Sequence, residues 1–324
     1  MEAGPLPESV VAAFLKQVGR GRMDDVRASL AGRPALVNAV GPHPFWGGRA
    51  QALHVAVETR RPEMVALLIE RGADVNGANA EYDHWSPLML AIDRDRPDIR
   101  EQLLAAGARI GLLEALMLGD DRRVDEMLRG GLPAILPNGG SILAFARTPF
   151  AIDLLLALGA PTDLADRWGS RPIDALSRLG PRGRPLVERL VAHGVEAGPA
   201  ESARLGDLAK LQQMAQSDGA SVRRDEVLMA AVDFGHHDIV RWLIGQGASV
   251  DARAPAPSRH TALHSAAWNG DLEMVRLLLH AGANGTLRDE EHDGTPRDWA
   301  DVAVEVTNNR NCGVVAAYLR SRGL

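Results

Sequence analysis

The stretch EYDHW at residues 81–85 contains the residue types best suited to acid–base chemistry. Tyr82, Asp83 and His84 are consecutive, and His43 lies in a Gly- and Pro-rich segment upstream. A histidine beside a carboxylate exchanges protons near pH 7, so His43, Asp83 and His84 are candidate catalytic residues of a groove for a small substrate. Adjacent loop residues are poorly preorganised for catalysis, however. An enzyme is therefore our second hypothesis.

The remaining chemical motifs are weak. The segment GRGRMD at 19–24 follows a helical pattern rather than a strand, so an inter-helix turn is favoured over a phosphate loop. The one cysteine, Cys312, precedes a final apolar helix pattern, and no cysteine–histidine spacing suits zinc. The sequence predicts neither a metal site nor a cofactor.

Composition and charge argue against several classes of protein. With 36 basic and 42 acidic residues the net charge is −6, which argues against a nucleic-acid partner. No segment approaches the roughly 20 apolar residues of a membrane span, and the first residues do not resemble a signal peptide. Lys16 and Lys210 are the only lysines, an arginine bias typical of a GC-rich bacterial genome. We expect a soluble, cytoplasmic monomer with no membrane partner.

The elements that must position any site form an internal repeat. The segment HTALHSAAWNGDLEMVRLLLHAGAN at 260–284 has apolar residues at helical spacing in two short runs. Thr261 and Asp271 are predicted N-caps of the two helices, and Gly282 is the predicted stop. Similar helix pairs recur about ten times, at a mean period of about 31 to 32 residues. The clearest copies lie at 51–76, 86–108 and 226–248.

These motifs resemble the ankyrin repeat. The match rests on TALHSAAWNGDLEMVRLLLHAGAN, on Leu53-His54 and on Gly294-Thr295-Pro296. The resemblance implies an all-α solenoid of about ten helix-pair units, degenerate in the middle, in which stacking stabilises each unit. It also implies structural rather than catalytic roles for His54 and His264. We expect one array over 1–324, with capping units at 1–40 and 294–324, regular repeats at 41–110 and 221–293, and degenerate repeats at 111–220.

The spacing of the anchor leucines predicts where projecting loops are missing. Leu53 to Leu88 and Leu228 to Leu263 are 35 residues apart, which leaves room for a loop. Leu88 to Leu112 is only 24 residues. We therefore expect short connections without a projecting loop at 108–112 and 194–200.

The resemblance also implies a concave binding surface, lined by loop tips and by the last turn of each first helix. Exposed aromatic and arginine side chains are the usual anchors of such surfaces. Trp85 and Trp168 could equally pack on neighbouring loops, and Trp299 is expected to cover the terminal core. The predicted partner-binding residues are Trp46, Tyr82, Trp85, Asp93, Arg94, Trp168, Phe234, Trp268 and Asn269.

The first functional hypothesis is thus a non-catalytic scaffold that holds a partner protein or peptide across this surface. The alternative is an enzyme or small-ligand binder, with a groove site built from His, Asp, Tyr and Trp loop residues. A third is an inhibitor or immunity-type partner of a neighbouring gene product. Nothing in the sequence identifies the partner.

Overall fold

The fold is taken from a computed structural model, which describes residues 6–45, 48–77, 85–133, 136, 139–307 and 309–324. The chain divides into two compact units, Met1–Ser170 and Arg171–Leu324. Four residues of the predicted sites lie outside the described residues, namely Trp46, Tyr82, Asp83 and His84. Within the described ranges, no helix has the length and apolar character needed to cross a membrane.

The first unit consists of short helices in antiparallel pairs. Its helices are α1 (Glu8–Gly19), α2 (Met23–Gly32), α3 (Ala52–Glu58), α4 (Pro62–Glu70), α5 (Pro87–Asp93), α6 (Pro97–Ala105), α7 (Leu112–Leu118), α8 (Asp121–Leu128) and α9 (Pro149–Ala157). Two 3-10 turns cover Pro34–Asn38 and Ile142–Phe145, and the strands β1 (Gly41–Pro42) and β2 (Arg49–Ala50) pair antiparallel. The first helices pack in sequence order, α1 on α3, α3 on α5 and α5 on α7. Leu53, one of the predicted anchors, is fully buried in the core between them.

The second unit repeats this arrangement. Its helices are α10 (Pro172–Ser177), α11 (Arg184–Ala192), α12 (Pro199–Arg204), α13 (Leu208–Ser217), α14 (Asp225–Asp233), α15 (His237–Gly245), α16 (Ala262–Asn269), α17 (Leu272–His280), α18 (Pro296–Thr307) and α19 (Arg310–Ser321), with 3-10 turns at Gly180–Arg182 and Ser221–Arg223. The first helices α10, α12, α14, α16 and α18 form one layer, and the second helices α15, α17 and α19 form another. The anchors Leu228 and Leu263 are buried.

Capping side chains define where the short helices begin. Asp271 accepts a hydrogen bond from the backbone N–H of Met274 at 2.9 Å, which confirms it as an N-cap. Asp120 and Asp207 cap α8 and α13 in the same way. Because helices shorter than about 12 to 15 residues are marginal alone, packing between neighbours stabilises them.

The two predicted short connections are present. Helix α6 ends at Ala105 and α7 begins at Leu112, while α11 ends at Ala192 and α12 begins at Pro199. A third short connection, between α13 and α14, was not expected; it contains only the 3-10 turn Ser221–Arg223. By contrast, α15 ends at Gly245 and α16 begins at Ala262.

The predicted all-α fold of stacked helix pairs is confirmed. Ten pairs can be followed through the described residues when the turn Ile142–Phe145 is counted as the partner of α9. The strands are two residues each and close only a small hairpin before α3.

Candidate binding surface at the first-helix ends

Two buried histidines, His54 and His264, each connect their own helix pair to the chain just before the next pair. His264 accepts a hydrogen bond from the backbone N–H of Thr261 at its Nδ1 (3.1 Å), and its Nε2 donates to the Gly294 carbonyl (3.0 Å). The Nε2 of His54 donates to the Trp85 carbonyl at 3.0 Å. Burial lowers the pKa of His264 and brings the pKa of His54 to about 4. Both rings are therefore neutral structural donors, as the resemblance implies.

His43, a candidate catalytic residue, is fully buried against Glu58. Its Nε2 lies 3.0 Å from a Glu58 carboxyl oxygen, and neither side chain is more than 1% exposed. The backbone N–H of Phe45 donates to Nδ1 at 3.3 Å, which places the ring proton on the nitrogen facing Glu58. His43 therefore has a buried contact with Glu58 inside the core. The catalytic roles of Asp83 and His84 stay predictions.

Arg94 connects this buried carboxylate to the surface. Its guanidinium is 39% exposed and lies 3.3 Å from the second Glu58 oxygen and 3.5 Å from a carboxyl oxygen of Asp93. The pair Asp93–Arg94 is thus a surface charge pair at the end of α5 and also ties α5 to α3. Glu58 occupies the same pre-turn position at the end of α3, and the predicted set omitted it.

Trp85 and Trp168, for which packing and binding were equally open, differ in the structure. Trp85 is half-buried, with its ring 6.0 Å from that of Phe145. Trp168 is 68% exposed, and the guanidinium of Arg167 lies 5.0 Å from its ring centre. Asp166 accepts hydrogen bonds from the backbone of Trp168 and Ser170, both at 2.9 Å, and so holds this loop in place. Trp168 is presented to solvent, whereas Trp85 covers core.

In the second unit, aromatic rings gather around Trp299. Trp268 lies 5.9 Å from Trp299 in an edge-to-face arrangement, and the His260 ring lies 4.8 Å away on the same indole. All three are half-buried. Burial lowers the pKa of His260 to about 4, so this ring is neutral. Trp299, expected to cover the terminal core, is also part of a surface cluster.

A buried carboxylate fixes the orientation of Trp299. The indole N–H donates to Asp289 at 2.9 Å, and the backbone N–H groups of His292 and Gly294 donate to the same carboxylate at 2.7 and 2.9 Å. Burial alone would raise the pKa of Asp289, but these hydrogen bonds lower it overall. The ring is therefore held in place before any partner arrives.

An amide contact joins the ends of α14 and α16. The side-chain N–H of Asn269 donates to the Asp233 carbonyl at 3.3 Å, although Asn269 remains exposed. Phe234 and Trp268 directly adjoin these two residues in sequence, and both are half-buried. We call Phe234, Trp268, Trp299 and His260 the aromatic row.

The sequence allowed part of this site to be predicted. Phe234, Trp268 and Asn269 were predicted because the repeat fixes the position before each inter-helix turn, and their role in binding stays a prediction. The contacts of Trp299 with Trp268 and His260 were not predicted. The only signals in the sequence were that Trp299 follows Gly294-Thr295-Pro296 and that His260 lies in the loop before α16. Among the described residues no His, Cys, Asp or Glu cluster could hold a metal ion.

Comparisons with known proteins agree with this architecture. Residues 27–113 and 150–289 match the family described as ankyrin repeats (3 copies). A stretch of 257 residues is 27% identical to ankyrin repeat and KH domain-containing protein mask-1 of Caenorhabditis elegans, covering 76% of this chain and 9% of that protein. Over 126 residues the chain is 30% identical to diacylglycerol kinase zeta of Rattus norvegicus, covering 38% and 13%.

A third relative is shorter. Over 95 residues the chain is 33% identical to protein phosphatase 1 regulatory subunit 27 of Mus musculus, covering 29% of this chain and 57% of that protein. The chain thus spans less than two thirds of each of these relatives. The family match covers more than half of the chain and coincides with the helix pairs described above. The chain belongs to the ankyrin repeat family, whose repeats generally serve as protein–protein interaction modules.

Proposed function

We propose that this chain is a non-catalytic scaffold that binds a segment of a partner protein across the ends of its first helices. The observation that supports this best is the aromatic row. Only 4% of the residues are Phe, Trp or Tyr, yet the row brings two of the six tryptophans into contact with each other and with His260, and Phe234 lies half-buried at the end of the neighbouring helix α14. Tryptophan is enriched among the residues that contribute most to the binding energy of protein interfaces.

The physical state of the row favours binding. Trp299 is fixed by Asp289, and Trp268 packs against Trp299, so little side-chain entropy is lost when a partner covers them. The neutral His260 adds no charge that would have to be desolvated. An apolar or aromatic side chain of the partner fits this surface best.

The first unit carries separate candidates for the same role. Trp168 with Arg167 forms an exposed cation–π pair, and Asp93–Arg94 is a partly exposed charge pair. These positions would add contacts with the same or another segment. The enzyme hypothesis has less support, because His43, the one catalytic candidate among the described residues, is buried against Glu58.

We also propose, from the sequence, that the protein is bacterial, cytoplasmic and monomeric. The arginine bias supports a bacterial source, and the net charge of −6 supports a partner other than nucleic acid. The only thiol, Cys312, is buried and donates to the Trp268 carbonyl, and burial raises its pKa. A single cysteine cannot form an internal disulfide, which is consistent with a cytoplasmic location.

The test is to isolate the partner from the host by affinity purification with mass spectrometry, and to measure its affinity for variants. Trp268→Ala should weaken binding at least about tenfold, because it removes the centre of the row. Phe150→Ala is the matched control: Phe150 is 46% exposed on α9 and outside the row, so affinity should stay within about twofold. Thermal unfolding of both variants separates lost binding from lost structure. Unchanged affinity for Trp268→Ala would contradict the proposal.

A further inference from the structure

The layer of second helices in the second unit, which we call its outer face, carries a groove of about 600 Å³ between α15, α17 and α19. Its floor is formed by Ile244, Leu277 and Tyr318, all of which are half-buried and pack on the core. It is formed by second helices, whereas Phe234 and Trp268 lie at the ends of first helices. It is therefore a surface distinct from the aromatic row.

The rim of this groove is positively charged. Arg241, Arg276 and Arg322 face it, and Glu273 is its only carboxylate. Arg276 lies 2.9 Å from Glu273 and 5.3 Å from the centre of the Tyr318 ring, so its charge is already engaged. In the part of the chain that the structure describes, Arg241 and Arg322 have no carboxylate partner, and both are exposed. We call this surface the arginine groove.

A second groove on the same unit shows that positive charge is not a general property of such surfaces. It has a volume of about 640 Å³, lies between α11, α12 and α13, and has an apolar floor that includes Val187 and Met214. Its rim carries more acidic than basic residues, namely Glu188, Glu196 and Asp207 against Arg184 and Lys210. The two grooves share size and apolar floor but have opposite charge. The charge of the arginine groove also opposes the net charge of the chain, which is −6.

We propose that the arginine groove docks an acidic segment of a partner protein, with apolar side chains that enter the floor. Guanidinium groups form paired, geometrically defined hydrogen bonds with carboxylates, and two of the three guanidinium groups here are open to such a partner. The half-buried floor supplies apolar area that an acidic but wholly polar peptide would not use. The chain would then hold two segments at once, one on the aromatic row and one on the outer face.

The probe is a fluorescently labelled synthetic peptide with glutamate and leucine at helical spacing, and the readout is anisotropy with the full chain. The double variant Arg241→Glu/Arg322→Glu should weaken binding about tenfold, since two attractive contacts become repulsive. The same peptide with lysine in place of glutamate, or serine in place of leucine, should bind more weakly to the unaltered chain. Rising salt should reduce the affinity for the glutamate peptide.

The control variant is Arg109→Glu, which makes the same kind of substitution at one exposed arginine of the first unit, with half the charge change of the double variant. It should bind the glutamate peptide like the unaltered chain, and so should Trp268→Ala. The proposal is overturned if the unaltered chain does not bind the peptide, if the double variant binds equally well, or if Arg109→Glu or Trp268→Ala loses as much affinity. Circular dichroism and thermal unfolding confirm that each variant is folded.

Discussion

Glu114 and Glu201 occupy the same position in two helix pairs that follow short connections, yet their carboxyl groups have different partners. Each is the third residue of its first helix and accepts a hydrogen bond from the backbone N–H of the preceding glycine, Gly111 at 3.1 Å and Gly198 at 2.7 Å. The other Glu114 oxygen accepts the hydroxyl of Ser86, at 2.7 Å. Glu114 thus only accepts hydrogen bonds.

Glu201 meets another carboxyl group instead. Its carboxyl group lies beside that of Asp174, and two neighbouring carboxyl groups can form a hydrogen bond only if one of them holds a proton. Burial, then the hydrogen bond and charge of Asp174, raises the pKa of Glu201 to about 7. Burial would also raise the pKa of Asp174, but the hydrogen bonds of Glu201 and Arg171 lower it to about 2. At a pH between the two pKa values, the pair of carboxyl groups therefore holds one proton.

The difference shows that the repeat position fixes where the carboxyl group lies, but not what it does. The preceding helix pair decides its role, by offering a hydroxyl donor in one case and a carboxylate in the other. In the pairs that follow long loops, at 51–76 and 260–284, a histidine takes the corresponding position and donates forward to a carbonyl. The three kinds of connection should respond differently to substitution and to pH.

The largest expected effect is at Arg204, the cation beside both acids. Its Nη1 lies 3.4 Å from Glu201 and 3.8 Å from Asp174, and the guanidinium is only 14% exposed. Arg204→Met should lower the free energy of unfolding by about 3 kcal/mol, because it removes the buried cation of this pair and leaves only the partly exposed Arg171 beside the two carboxyl groups. Urea unfolding of the full chain at pH 7 measures this.

Arg96→Met is the matched control. Arg96 lies closer to its carboxylate, 2.6 Å from Asp98, but that carboxylate is 46% exposed. The cost should stay below about 1 kcal/mol, because solvent screens the pair. Equal losses in the two variants would mean that burial does not distinguish these sites.

The next effect separates Glu201 from Glu114 by pH. With a raised pKa, folded Glu201 holds a proton that the unfolded chain has lost between about pH 4.5 and 7, so its stabilisation is complete below this window and lost as pH rises through it. Gln mimics the protonated acid. Glu201→Gln should therefore be more stable than the unaltered chain at pH 8 by about 2 kcal/mol, and the difference should vanish near pH 4.5.

Glu114→Gln should instead be less stable than the unaltered chain. Both Glu114 oxygens accept hydrogen bonds, and the amide offers one acceptor only, so this variant should lose about 1 kcal/mol across the same window. Unfolding in urea at several pH values gives both differences. If Glu201→Gln shows the same pH dependence as the unaltered chain, the shared proton is wrong.

These contacts also show which features could be predicted from the sequence and which could not. The short connections at 108–112 and 194–200 could be predicted because the anchor spacing is local, and the one between α13 and α14 was missed because the unit at 200–220 is degenerate. The pattern Gly-x-x-Glu at 111–114 and 198–201 resembles half of a capping box, although it was not predicted to be one. Its partners Ser86 and Asp174 could not be predicted, because they depend on the register in which neighbouring pairs stack.

The same limit applies to the candidate site. Trp268 was predicted from its place before a turn. Its contact with Trp299 depends on a loop and two helices meeting, which no local pattern records. Trp85 and Trp168 each precede a helix-start motif, and only the packing of the first unit separates the buried ring from the exposed one.

The smallest effect comes from the histidine connections, and its sign is opposite to that of Glu201. The pKa of His54 falls to about 4 on folding, so below about pH 6.5 the unfolded chain binds a proton that the folded chain does not. Its stabilisation is therefore lost as pH falls, by about 1 kcal/mol between pH 7.5 and 5.5. His54→Gln should remove this part of the pH dependence, and His264→Gln should act in the same direction because its pKa is also lowered.

Unfolding of each variant at the two pH values is compared with the unaltered chain, whose Glu201 changes stability the other way in the same window. An unaltered difference in His54→Gln would show that the histidine connection does not sense acid, and the contrast between the two kinds of connection would fail.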